Sequence, residues 1–176
     1  MNIRAVNLND SAQIAVIYNF YIENTHHTFE TEPVNSAEMQ KRIEATTTNY
    51  PFLVAEENGE ITAYAHAAQY KSRCAYKSSA EISVYVRNNI RQKRIGTKLY
   101  ENLFEELLKT NVHAIIAGIA LPNEASIKLH EKFGMEKVAH FREVGYKFGK
   151  WIDVGYWELI NKKSPQKDTD APRTQK

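Results

Sequence analysis

The dipeptide Asn58-Gly59 constrains the fold of this chain more than any other feature. It separates two apolar stretches, Pro51-Phe52-Leu53-Val54-Ala55-Glu56-Glu57 and Glu60-Ile61-Thr62-Ala63-Tyr64-Ala65-His66. Asn and Gly both tolerate the positive φ that a two-residue hairpin turn needs, so the stretches pair as antiparallel strands. Around this hairpin, strand and helix signals alternate. Residues 3–8 read as a first strand, and Asp10 or Ser11 caps a helix carrying Ile14, Ile17, Tyr18, Tyr21 and Ile22 at helical spacing. Ser36 opens a shorter helix running to about Ala45. Residues 80–86 form a strand rich in β-branched and aromatic residues.

A helix then carries Leu99, Leu103, Phe104, Leu107 and Leu108 on one face, and residues 114–120 form a buried strand. Asn123 caps a helix with apolar positions Ile127, Leu129 and Phe133, which Gly134 stops. Two strands, around residues 137–146 and 153–160, close the sheet. Antiparallel pairing early and strand–helix alternation late predict an α+β, mixed α/β domain of three layers.

With 176 residues there is room for one domain and not two. That domain is expected over residues 1–160, because residues 161–176 hold no aromatic and a single apolar residue, Ala171, and read as a flexible tail. Lys and Arg total 23 against 21 Asp and Glu, a net charge of +2. That balance argues against a dedicated nucleic-acid binder. The lone Cys74 supports neither an intramolecular disulfide nor a Cys-based zinc site. The six His residues are scattered apart from the adjacent pair His26-His27, and no metal site is expected. No apolar run approaches the roughly 20 residues of a membrane span. The opening MNIRAVNLND lacks a signal-peptide core, so no membrane association and a reducing cytoplasm are expected.

The chemistry concentrates in residues 81–99, EISVYVRNNIRQKRIGTKL: a strand, a polar basic loop with Gly96, then a helix start. A helix N-terminus offers unpaired N–H groups and the positive end of the helix dipole, so this context suits a pyrophosphate. Arg91, Lys93, Arg94 and Lys98 add positive charge; a solvated basic face is the plainer alternative.

The segment resembles the acetyl-CoA-binding motif of the GCN5-related N-acetyltransferases, Gln/Arg-x-x-Gly-x-Gly/Ala, with Arg91 at its first position and Gly96 at its last. Arg94 stands where that family prefers Gly, which implies a helical backbone there with the side chain turned away. The resemblance extends over residues 2–160 and is closest to the phosphinothricin acetyltransferase branch. It rests on Thr28-Phe29-Glu30-Thr31-Glu32-Pro33, Tyr50–Glu56, Ala80-Glu81, Leu121-Pro122-Asn123, Leu129-His130-Glu131, Gly145-Tyr146-Lys147 and Trp151–Gly155, in order.

It implies a three-layer α/β/α sandwich around a mixed, largely antiparallel sheet, with acetyl-CoA as co-substrate. Gln92, Lys93, Arg94, Ile95, Gly96 and Thr97 would cradle the pyrophosphate. Backbone groups of Val84, Tyr85 and Val86 would hold the pantetheine, Val86 N–H polarising the thioester carbonyl, and Asn123 would meet a coenzyme amide. Glu81 and His130 are the implied acid–base pair: Glu81 takes the amine proton through a water and His130 protonates the coenzyme sulfur, or the two exchange roles.

On the acceptor side the resemblance implies Phe29, Lys71, Ser72, Arg73 and Tyr76, with Arg73 suited to a carboxylate. Apolar Phe148 and Ile152 replace the His residues of phosphinothricin-resistance enzymes, which points towards acceptors of the methionine sulfone or sulfoximine type. The implied reaction is direct acetylation of the α-amine of a small amino-acid-like acceptor by a homodimer. A protein N-terminal acetyltransferase and a non-catalytic acyl-CoA-binding module are the alternatives.

Overall fold

The computed structural model describes residues 1–90 and 94–162. A seven-stranded sheet runs in the order β1-β2-β3-β4-β5-β7-β6. Its strands are β1 (Asn2–Ala5), β2 (Phe52–Glu57), β3 (Glu60–Gln69), β4 (Ser79–Val86), β5 (Ala114–Ala120), β6 (Glu136–Lys147) and β7 (Lys150–Ile160). Four helices, α1 (Ser11–Asn24), α2 (Ser36–Thr47), α3 (Ile95–Leu107) and α4 (Glu124–Lys132), cover it. Every pairing is antiparallel except β4 with β5. The expected mixed, largely antiparallel sandwich is therefore the observed one.

Strand alternation sorts side chains onto two faces. Phe52, Val54 and Tyr64 pack beneath Ile14, Ile17, Met39 and Ile43 of α1 and α2. Leu53, Ala63, Ala65, Ile82 and Ile115 pack beneath Leu99, Leu103 and Leu107 of α3. Alanines on β3 keep this second face flat, so α3 lies close against it. Asn58 (φ 52°) and Gly59 (φ 81°) both adopt left-handed conformations, as the hairpin reading requires. Phe148 (φ 52°) and Gly149 (φ 72°) make a second tight turn, between β6 and β7. Phe is a poor cue for that turn, so the sequence reading left these strands too short.

Local caps differ from expectation. The first strand ends at Ala5 because Asn7 caps a short 3-10 turn over Leu8–Asp10. Asp10 stands at the N-cap position of α1, as expected, but its carboxylate accepts from Asn7 N–H and from Arg4 instead of from the helix. Asn35, not Ser36, caps α2, its side chain accepting from Glu38 N–H at 2.8 Å. Asn161, assigned by the sequence to the tail, is buried, donating from its backbone N–H to His113 O at 2.7 Å. Residues 163–176 lie outside the described part. No described helix is long and apolar enough to cross a membrane.

Candidate active site

The parallel β4–β5 ladder holds only for Ser79↔Ala114, Ala80↔Ile115 and Glu81↔Ile116. Beyond Glu81 the strands part, while β3 stays paired with β4 out to Val86 and β7 stays paired with β5 out to Ala120. Each strand therefore has its outer edge satisfied and its inner edge open. Arg87 N–H donates to Thr62 O on the β3 side, whereas Val86 meets Tyr21 of α1 on the other. Because backbone groups alternate along a strand, Ile82, Val84 and Val86 all turn theirs into the gap.

The gap is a cavity of about 270 Å³ bordered by Val84, Val86, Asn123, Tyr100 and His130. Asn123 has the two placements expected of it: it borders the cavity, and its side chain accepts from Ser126 N–H at 3.2 Å as the cap of α4. Val86 departs from expectation. Its N–H donates to the Tyr21 hydroxyl at 3.3 Å, and that hydroxyl donates to Val86 O at 2.7 Å, so the amide is already engaged. The Tyr85 side chain, half-buried, packs edge-on to Tyr18 and Tyr21 against the α1–α2 core.

At the base of the slot α3 begins. Gly96 lies in its first turn, where a Cβ would stand 3.4 Å from Leu129 and 3.9 Å from Val84. Ile95 is sealed in the core, so of this residue only the backbone faces the helix start. Thr97 lies in the same turn. The Arg94 backbone is left-handed (φ 75°, ψ 12°), not helical as expected. The chain must swing sharply to enter α3, and that is the conformation Gly adopts without steric cost. Gln92 and Lys93, together with Arg91, lie outside the described residues.

Alternation puts Glu81 on the α1–α2 face, in the wall of a second cavity of about 430 Å³. Tyr156, Gly145 and Phe29 also border it. Gly118 lets Glu81 in: a Cβ there would stand 3.3 Å from Glu81 Oε1 and from the Tyr156 ring. Burial raises the Glu81 pKa above the ordinary carboxylate value, and a hydrogen bond from Gly118 N–H opposes the rise only in part. Phe29 lies across Gly145, whose missing side chain leaves room for the ring. His27, Gly118 and Ala120 border both cavities, so the two meet there.

His130 sits on the opposite face and is 3% exposed. Its Nδ1 donates to Ser126 O at 2.7 Å, which obliges Nε2 in the neutral ring to accept from the Tyr100 hydroxyl at 2.9 Å. Burial lowers its pKa. Glu81 and His130 thus line different cavities, and neither ring nitrogen of His130 holds a spare proton. Lys71, Ser72, Arg73 and Tyr76 occupy the β3–β4 loop and are not among the residues bordering either cavity. Lys71 Nζ lies 4.8 Å from the Tyr70 ring centroid and 5.4 Å from that of Tyr76. Sequence reasoning missed His27, Tyr100, Gly118 and Tyr156; Tyr21 it read only as a core position.

An opened parallel pair with inward backbone groups, a helix N-terminus below it and a half-buried carboxylate beside it define an acyltransferase that grips a long acyl donor. The acetyltransferase (GNAT) domain family matches residues 3–155, and the chain belongs to it. It is 35% identical over 158 residues to a phosphinothricin N-acetyltransferase of Streptomyces viridochromogenes, covering 90% of this chain and 86% of that one. It is also 35% identical over 160 residues to an L-methionine sulfoximine/L-methionine sulfone acetyltransferase of Salmonella typhimurium, covering 90% and 94%. A phosphinothricin acetyltransferase of Sinorhizobium meliloti, solved in complex with acetyl-CoA, superposes with a TM-score of 0.90 at 29% identity, covering 98% of this chain and 96% of that one.

Proposed function

We propose that this enzyme transfers the acetyl group of acetyl-CoA to the α-amine of a small amino-acid-like acceptor of the methionine sulfone, methionine sulfoximine or phosphinothricin type. The observation that carries this reading is Glu81: a half-buried carboxylate with a raised pKa, in the wall of the acceptor cavity, where it meets the coenzyme slot. A free α-amine is an ammonium at neutral pH and must lose a proton before it attacks. A carboxylate that burial has made more basic takes that proton, directly or through one water. The cavity's size lies within the range of small-ligand pockets. Arg73, exposed on the adjoining loop, is available to an acceptor carboxylate.

In the slot, the gap-facing backbone groups of Val84 and the Asn123 side chain hold the pantetheine, and the first turn of α3 around Gly96 receives the pyrophosphate. His130 acts as a positioning residue, holding the Tyr100 hydroxyl at the wall of the slot. Transfer is direct, since Cys74 is exposed on the β3–β4 loop rather than in the slot. A free thiol at the surface suits a reducing compartment, and we place the enzyme in the cytoplasm. Val138, Phe141, Val144, Tyr146, Phe148 and Trp151 are each more than half exposed along β6, β7 and their turn. An apolar strip of this kind supports a homodimer; light scattering at micromolar concentration should give twice the chain mass.

An acceptor screen that follows thiol release from acetyl-CoA tests the function. Release with methionine sulfone or a related amino acid is expected. Release only with peptide N-termini would instead make it a protein N-terminal acetyltransferase. Binding without any release would leave an acyl-CoA-binding module.

A further inference from the structure

We propose that the His27 imidazole carries the second amine proton to the departing coenzyme sulfur. The inference rests on the acetyl-transfer reading above. Of the titratable side chains bordering the two cavities, His27 alone among the described residues borders both; Glu81 borders only the acceptor cavity, His130 only the slot. It stands where the thioester carbon, the attacking nitrogen and the sulfur must come together.

His130 is closed to this task, because Ser126 O and the Tyr100 hydroxyl engage both its ring nitrogens. The His27 ring, in contrast, has no hydrogen bond among the described residues. Its neighbours are aromatic or cationic: the Tyr21 ring at 6.2 Å, the His26 ring at 5.1 Å, and the Lys147 ammonium. Burial, then His26 and Lys147, lower its pKa from 6.5, so the ring is neutral at neutral pH and able to accept. Glu81 of β4 and Tyr156 of β7 face it across the acceptor cavity. The backbone beside it is fixed: Lys147 Nζ donates to Thr28 O at 2.8 Å, and the Tyr18 and Thr28 hydroxyls share a 2.9 Å hydrogen bond.

The protons balance as follows. Glu81 takes one proton from the ammonium, and the neutral amine attacks the thioester carbon. A C–N bond forms and the carbonyl electron pair moves to oxygen, leaving two protons on a positive nitrogen. His27 takes one of these. The oxygen pair re-forms the carbonyl, the C–S bond breaks with its pair going to sulfur, and the imidazolium delivers the proton there. The products are an amide and a neutral thiol, and His27 returns to its starting form.

The test compares His27→Gln with the wild type on two acetyl donors, using methionine sulfone as acceptor. Acetyl-CoA has a basic thiolate leaving group that needs a proton; the acetyl thioester of 4-nitrothiophenol leaves without one. The variant should lose on the order of 10²-fold in kcat with acetyl-CoA and no more than about threefold with the aryl thioester. Independently of turnover, the His27 ring-carbon NMR signal should shift when coenzyme A is added, while calorimetric coenzyme A affinity is the same in wild type and variant. Equal losses on both donors, no loss on acetyl-CoA, or a His27 signal unmoved by coenzyme A would overturn the assignment while leaving the acetyl-transfer reading intact. A wild type inert with every amino-acid acceptor would remove both.

Discussion

On the α1–α2 side of the sheet, Glu81 is half-buried with the Gly118 N–H as its hydrogen-bond donor, and His27 has no hydrogen bond on its ring among the described residues. On the α3–α4 side, His130 is held on both ring nitrogens and Tyr100 is fully buried against it. The two sides flank one cleft yet treat their titratable groups in opposite ways. The groups to which we assign a change of protonation during turnover keep unfilled hydrogen-bonding capacity, at some cost in stability. Groups that shape the slot have theirs filled, and contribute to stability instead.

The sharpest way to break this contrast is Glu81→Gln. It should lower kcat/KM by about 10²–10⁴-fold, with partial recovery as rising pH frees the amine in bulk solvent. As the proposed base, Glu81 works only when deprotonated, so wild-type activity should fall as pH drops through its raised pKa. That acid limb of the pH–rate profile should vanish in the variant. Full activity from pH 6 to 9 in Glu81→Gln would take the role of base away from Glu81.

His66 tests the same side for stability. Its ring stacks on Phe52 at 4.9 Å, its Nδ1 has no hydrogen-bond partner among the described residues, and burial lowers its pKa from 6.5 to about 4. The unfolded chain binds this proton more tightly than the folded one. Its contribution to stability is therefore complete above pH 6.5 and is lost as pH falls towards 4, by about 3 kcal/mol. Urea titrations should show that slope in the wild type and a flatter one in His66→Phe.

On the other side, His130→Ala should remove about 2 kcal/mol of stability by leaving the buried Tyr100 hydroxyl without its acceptor. Once folded, the variant should lose at most about tenfold in kcat. A rate loss as large as that of Glu81→Gln, with stability unchanged, would invert the contrast. The smallest effect belongs to Arg94→Gly, which relieves a left-handed backbone and should raise stability by about 1 kcal/mol, read as a shift in melting temperature.

Much of this was legible in the residues. Asn58-Gly59 announced the hairpin, Asn123 announced a cap that also borders the slot, and the run from Glu81 to Leu99 announced strand, loop and helix. Each signal acts over a few neighbouring residues, where propensity and turn geometry decide the outcome. The resemblance supplied Glu81 and His130 together, but not that they would face different cavities with such different partners. Nor did any local pattern mark His27, whose place depends on Lys147 holding Thr28 from 119 positions away.

The sequence by itself determined the order of elements, the alternation that sends Glu81 to one face and Val84 to the other, and the family to which the chain belongs. The tertiary structure alone decided that β4 and β5 would part after Glu81. Period-two alternation is a property of one strand, whereas continued pairing depends on what holds each strand's outer edge. Here β3 draws β4 one way and β7 draws β5 the other, and the cleft opens between them.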